Sequence, residues 1–242
     1  ARGTSIAVEF LHHALEDERQ TMEGNVVVVG GGNVAVDCAK TAKRFGAAKV
    51  SMVCLEDRES MPASKNEIAE TLEENIDICN SWGPKEVKVD GNGHVSSIVF
   101  KKCLQTIDPE TKRFSPVYNE NETMELDADH IVFAIGQAIQ WGGLLEGTKV
   151  AFHRGNYPVA DALTYQTAEP DIFVGGDVYH GPKFAIDAIE EGKCAAESLH
   201  RYVHKGADLK TGRNRRDFIM LDKDNVYVEC YDHAGRQEAG MD

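Results

Sequence analysis

The chain has 242 residues and a formal net charge of −14, enough length for one large or two modest domains with a sizeable core. That charge argues against nucleic acid or an anionic membrane as partner, and no apolar run approaches the ~20 residues that cross a bilayer. Six cysteines are present, Cys38, Cys54, Cys79, Cys103, Cys194 and Cys230, and none forms a Cys-x-x-Cys pair. This argues against an iron–sulfur cluster, a zinc site or a local redox disulfide within these residues. Without a disulfide framework or a signal peptide at the start, the expected location is cytoplasmic. His12, His13, His180 and His233 lack ligand spacing and read as surface residues, so no metal site is expected.

In chain order, Ser5 to Leu15 has apolar residues at helical spacing and predicts a short amphipathic helix, followed by a polar linker from Glu16 to Glu23. Val26 to Val29 reads as a strand buried on both faces, with helices expected on either side. Gly30-Gly31-Gly32-Asn33-Val34-Ala35 then predicts a tight turn into a helix that runs to Phe45, before Gly46. In such a strand–turn–helix unit Gly30 permits the turn, Gly32 lets a pyrophosphate approach the backbone, and Ala35 replaces a third glycine while keeping helix and strand close. Free N–H groups and the positive helix end at Asn33 and Val34 would face the phosphates. A second strand, Lys49 to Leu55, ends in Glu56, where a carboxylate could accept from the ribose hydroxyls.

Further on, Ser64 and Glu67 form a capping-box pattern for a helix from Lys65 to Asn75, whose many charges read as a solvated face. Ile76 to Cys79 supplies a third strand. From Lys85 the period becomes two, and Asp90-Gly91-Asn92-Gly93 marks a hairpin, so an antiparallel β-meander is expected to be inserted into the mostly parallel sheet. Ile131 to Gly136 returns as a buried strand. Ile172 to Val174 predicts another, ending in Gly175-Gly176-Asp177, and Pro182 to Tyr202 a long helix with Ala185, Ile186, Ala188, Ile189, Ala195, Ala196 and Leu199 on its apolar side. Cys38 reads as a core thiol. Lys205 to Asp242 is expected to be an extended tail with one strand at Asn225 to Glu229.

Three ordered motifs, Gly30 to Asp37, Phe133-Ala134-Ile135-Gly136-Gln137 and Ile172 to Asp177, together with Met61-Pro62-Ala63, resemble the small subunit of glutamate synthase and its relatives, among the flavoproteins with two dinucleotide-binding domains. The resemblance covers about residues 5 to 204. It implies an α/β fold: a Rossmann-like NAD(P)-binding domain at residues 23–137 carrying the meander, inserted into a partial FAD-binding domain made of residues 1–22 and 138–204, with 205–242 as a C-terminal extension. The family's first glycine motif, which holds the ADP part of FAD, is expected upstream of Ala1, so the chain reads as a C-terminal piece.

By the same resemblance, Ala134, Ile135 and Gly136 join the nucleotide site. Gly176 and Asp177 would contact the flavin ribitol and pyrophosphate, and the helix start at Ala185, Ile186 and Asp187 would point at the flavin pyrimidine ring. Many relatives carry paired arginines where this chain has Leu55-Glu56. Glu56 would repel a 2′-phosphate, which favours NAD(H) over NADP(H), with Arg58 nearby as the opposing feature. The reaction implied is hydride transfer from NADH to FAD and onward to an iron–sulfur centre or partner subunit, with no catalytic side chain required. Absence of Cys-x-x-Cys disfavours the thioredoxin reductase branch. The alternative is a non-catalytic NAD(H)-binding or sensing module.

Overall fold

The computed structural model describes residues 1–16, 21–204 and 206–213. The strand expected at Asn225 to Glu229, Cys230 and His233 lie outside them. The chain divides into two compact units, Ala1–Gln137 and Ala138–Asp242.

The first unit holds a five-stranded sheet in the order β1-β8-β2-β3-β4, all pairs parallel. Its strands are β1 (Thr4–Ile6), β2 (Asn25–Val29), β3 (Lys49–Val53), β4 (Asp77–Cys79) and β8 (His130–Phe133). The helices α1 (Ala7–Glu16), α2 (Asn33–Arg44) and α3 (Lys65–Glu73) complete the wind. Four consecutive valines in β2 are all nearly sealed from solvent, and pleat alternation sends them to two different cores. Val26 and Val28 join the helices, packing with Ala35, Val36, Ala39 and Met52. Val27 and Val29 face Val95, Ile98 and Phe100.

That second core corrects the expectation of helices on both faces. One face is covered instead by a separate antiparallel sheet, β5 (Trp82–Val89), β6 (Val95–Ile107) and β7 (Phe114–Asp127). The meander is therefore not inserted into the parallel sheet but laid against it, since β6 carries a buried apolar row, Val95, Ile98 and Phe100, that needs a cover. The turn at Asp90 to Gly93 does close the first hairpin, with Asp90 Oδ1 accepting from the Asn92 and His94 N–H groups.

Residues 1–16, grouped above with 138–204, belong to the first unit by their packing. Thr4–Ile6 is a strand rather than the first turn of a helix and pairs with β8. Ala7 and Phe10 of α1 are buried in the helix-side core, beside α2. The charged helix α3 is not simply solvated either. Lys40 on α2 is buried and donates to Glu67 (2.9 Å) and Glu70 (2.6 Å), so two of the apparent surface carboxylates hold a sequestered cation.

In the second unit, α4 (Asp177–His180) and α5 (Ala185–Val203) are the helices among the described residues. The strand expected at Ile172 to Val174 is reduced to a bridge between Gln166 and Phe173, because the described residues of this unit offer it no further strand to ladder with. The phase of α5 also departs from expectation. Its buried positions are Glu191 and Ser198, while Ile186 (68% exposed), Ile189 and Leu199 face outward. The expected tail begins as a strap: Arg201 donates to the Asp208 and Thr211 carbonyls (3.1 and 2.7 Å), and Arg213 donates to the Cys194 carbonyl (2.7 Å).

Candidate functional site

The parallel sheet winds outward in opposite directions from β2 and β8, so their C-terminal ends flank the crevice where α/β sheets take ligands. Gly30 leaves β2 with its N–H donated to the Val53 carbonyl (2.8 Å) and φ of +146°. A Cβ there would stand 2.4 Å from the Ala134 carbonyl oxygen. Glycine is thus demanded by the close passage of the two strand ends. Ala134 in turn donates to the Val29 carbonyl (2.8 Å). Ile135 and Gly136, with φ of +93° at the glycine, continue from there into solvent.

Gly32 is a different case. It is the N-cap of α2, in extended geometry with no side-chain cap, and a Cβ on it would meet nothing within 4 Å. The protein itself does not need this glycine, so the space over it is available to a ligand. Asn33 and Val34 are exposed beside it, and Ala35 is fully buried, seating the helix. An uncapped helix start with open room over its backbone fits a pyrophosphate. Asn33 Oδ1 accepts the Ser64 N–H (2.9 Å), and Ala63 donates to the Gly31 carbonyl (3.0 Å). The Met61-Pro62-Ala63 loop is therefore tied to the turn, and Ser64 caps α3 through the Glu67 N–H (3.3 Å).

Glu56 follows β3, and a Cβ on Gly31 would lie 3.1 Å from its Oε2. The carboxylate thus runs along the glycine turn. Leu55 points elsewhere, toward Gly83, where an added Cβ would stand 2.8 Å from Leu55 Cδ2. Arg58 lies exposed in the next turn, which Asp57 shapes by accepting from Ser60 N–H and Oγ–H (2.8 and 2.7 Å). Burial, with the Glu56 charge adding to it, pushes the Cys54 thiol up to about 12, and burial does the same to Cys38. Neither is a nucleophile at neutral pH.

In the second unit, Gly176 sits at φ +70°, ψ −155°, a conformation open essentially to glycine. Its N–H is taken by Glu191 Oε2 (2.6 Å), and Glu191 Oε1 meets His180 Nδ1 at 2.5 Å. Gly176 therefore has no N–H to offer a phosphate. Asp177 accepts the Lys183 N–H (3.4 Å), Asp187 accepts the Phe184 N–H (3.2 Å), and Ala185 and Ile186 are exposed at the helix start. His180, expected as a plain surface residue, and Glu191, not singled out by sequence, together brace the Gly-Gly-Asp turn. A charged residue on the same stripe as Ala188 and Ala195 was the available signal for Glu191.

The model of the pyridine nucleotide-disulphide oxidoreductase family matches residues 2–192. The chain belongs to that family. Among curated relatives, it is 32% identical to the NADP(+)-dependent formate dehydrogenase subunit beta of Moorella thermoacetica over 91% of this chain and 31% of that one. It is 30% identical to the glutamate synthase [NADPH] small chain of Escherichia coli K12 over 76% of this chain and 40% of that one. The chain thus spans less than half the length of these relatives. Lactococcus lactis thioredoxin reductase shares the fold at 22% identity, with a TM-score of 0.64 over 84% of this chain and 58% of that one. The glycine turn of this chain stands on its Rossmann-like α/β unit. Among the described residues, Cys38, Cys54, Cys79, Cys103 and Cys194 are all free thiols, no group of three or more His, Cys, Asp or Glu is placed to hold a metal, and no helix is long and apolar enough to cross a membrane.

Proposed function

We propose that the first unit holds NAD(H) and that the whole protein is a pyridine-nucleotide:flavin oxidoreductase, passing hydride from NADH to FAD and electrons onward to an iron–sulfur centre or partner subunit. The observation that carries this is the open backbone at Gly32 between an uncapped α2 and the Glu56 carboxylate. Bound nicotinamide would supply the hydride and flavin would accept it. The chain's own residues bind and orient: Gly32, Asn33 and Val34 toward the phosphates, Glu56 toward the ribose, Ala134 to Gly136 along the crevice wall. Glu56 supports NADH over NADPH, since a carboxylate repels a 2′-phosphate. Two relatives named as subunits, a formate dehydrogenase beta and a glutamate synthase small chain, support a partner that accepts electrons.

For the flavin, residues 138–204 would supply one wall: the Asp177 carboxylate and the exposed start of α5 at Ala185 and Ile186, near Asp187. The outward apolar face of α5 supports reading this unit as part of a flavin domain. The contrary reading, an NAD(H)-binding module without redox chemistry, draws on one fact: both apolar core clusters lie in the first unit. Absorbance separates them. Purified intact protein with flavin bands that bleach on adding NADH supports the oxidoreductase, whereas colourless protein that still binds NADH supports the module.

A further inference from the structure

The β4–β5 connection reaches back across the sheet end to the backbone that carries Glu56. The Glu56 carbonyl accepts from Ser81 N–H (3.0 Å) and from Asn80 Nδ2 (3.2 Å). Asn80 Nδ2 also reaches Cys54 Sγ (3.3 Å), and Cys54 Sγ lies 3.6 Å from the same carbonyl. Ser81 holds φ +65°, a left-handed conformation that costs a non-glycine residue energy. Trp82 then donates to the Cys54 carbonyl (2.8 Å). The residue pair after β3 is thus fixed from two sides, with Leu55 held under Gly83 and Glu56 held by its carbonyl, which leaves the Glu56 side chain along Gly31.

We infer that Asn80 is a positioning residue for nucleotide choice: it fixes the backbone of Glu56 so that the carboxylate stays beside the glycine turn, where it admits an unphosphorylated ribose and repels a 2′-phosphate. Asn80 does not touch the ligand and acts through Glu56. This rests on the reading of Glu56 given above. A side-chain amide suits the task because its two N–H bonds span the Cys54 sulfur and the Glu56 oxygen at once. Neither a leucine nor an aspartate could do so, the first lacking a donor and the second setting a carboxylate against a carbonyl.

The test measures NADH and NADPH affinity by nucleotide fluorescence on the intact chain, for wild type, Asn80→Ala, Glu56→Gln and the double variant, with thermal unfolding alongside. Asn80→Ala is expected to narrow the NADH-to-NADPH affinity ratio about threefold to tenfold, the range of one hydrogen bond, and to have no effect on that ratio once Glu56 is Gln. Where the alanine variant does not fold, the near-isosteric and uncharged Asn80→Leu, which also lacks the donor, is read in the same way. Equal weakening of both nucleotides, or narrowing that persists in the double variant, would overturn the inference, because a merely structural role lowers stability without choosing between nucleotides. If Glu56→Gln shifts the ratio and Asn80→Ala does not, the inference alone fails. Should Glu56→Gln leave the ratio unchanged, the reading of Glu56 fails and the inference goes with it.

Discussion

The side-chain oxygen of Asn33 accepts the backbone N–H of Ser64 at 2.9 Å, so the first residue of α2 is bound to the N-cap of α3. The start of α2 is thereby braced by the loop beside it. Asn33→Ala removes the acceptor and should cost about 0.5–1.5 kcal/mol of stability, while Asn33→Asp keeps the acceptor and adds negative charge where phosphate is proposed to sit. Urea unfolding should show the alanine variant weakened and the aspartate variant near wild type. NADH titration should rank them the other way, with aspartate binding worst.

Two glycines of one turn should respond oppositely to alanine. Gly30→Ala forces a Cβ into the Ala134 carbonyl at a positive φ and is expected to lower the unfolding midpoint severely. At Gly32 the added methyl meets no protein atom, and the extended backbone tolerates it. Gly32→Ala should therefore melt like wild type yet lose about tenfold or more in NADH affinity, the equivalent of ~1.4 kcal/mol.

Lys40 is a structural cation. Burial works against its charge, yet its hydrogen bonds to Glu70 and Glu67 outweigh that and hold it above the ordinary lysine value. Lys40→Met should destabilise by about 1–3 kcal/mol, less than a fully buried pair because Glu67 and Glu70 are partly solvated. Partial desolvation and then the Glu67 charge raise the Asp37 carboxyl, and Lys40 opposes this. A raised carboxyl destabilises the ionised state, so removing Lys40 should cost more at pH 7 than at pH 5, measured by urea unfolding at both.

The strap over α5 should be acid-sensitive. The Lys210 ammonium (2.6 Å) and then the Thr164 N–H hold the Asp161 carboxyl down at about 2, from an ordinary 3.8. A depressed carboxyl stabilises the fold above its ordinary value, and that contribution is lost as pH falls from about 4 to about 2. Thermal midpoints of wild type should drop more steeply across that window than those of Asp161→Asn. At neutral pH the variant should be cut faster by trypsin at Lys210.

What could be read from sequence tracks what is local. The valine run of β2, the turn at Gly30 and the helix after it are dictated by neighbours in the chain, and each lies within a residue or two of its expected bounds. The second sheet was legible as hairpins but not as a cover for Val27 and Val29, because period two marks a strand without saying which sheet it joins. Buried charges were hidden for a related reason: Lys40 and Glu191 have the spacing of solvated faces, and only the packing of two elements reveals that they are enclosed. The face of α5 was misphased: Ile186, Ile189 and Leu199 are exposed, and Glu191 and Ser198 lie inside. Asn80 acts from a connection between strands, where no periodicity exists to mark it.

The Gly30 to Ala35 turn and Glu56 are proposed to hold a pyridine nucleotide with an unphosphorylated ribose. Paired titrations of NADH and NADPH against wild type and Glu56→Arg test it most directly. Wild type is expected to favour NADH and the arginine variant to lose or reverse that preference, with NADPH gaining affinity. Equal preference before and after the substitution, or no saturable binding of either nucleotide, would contradict it.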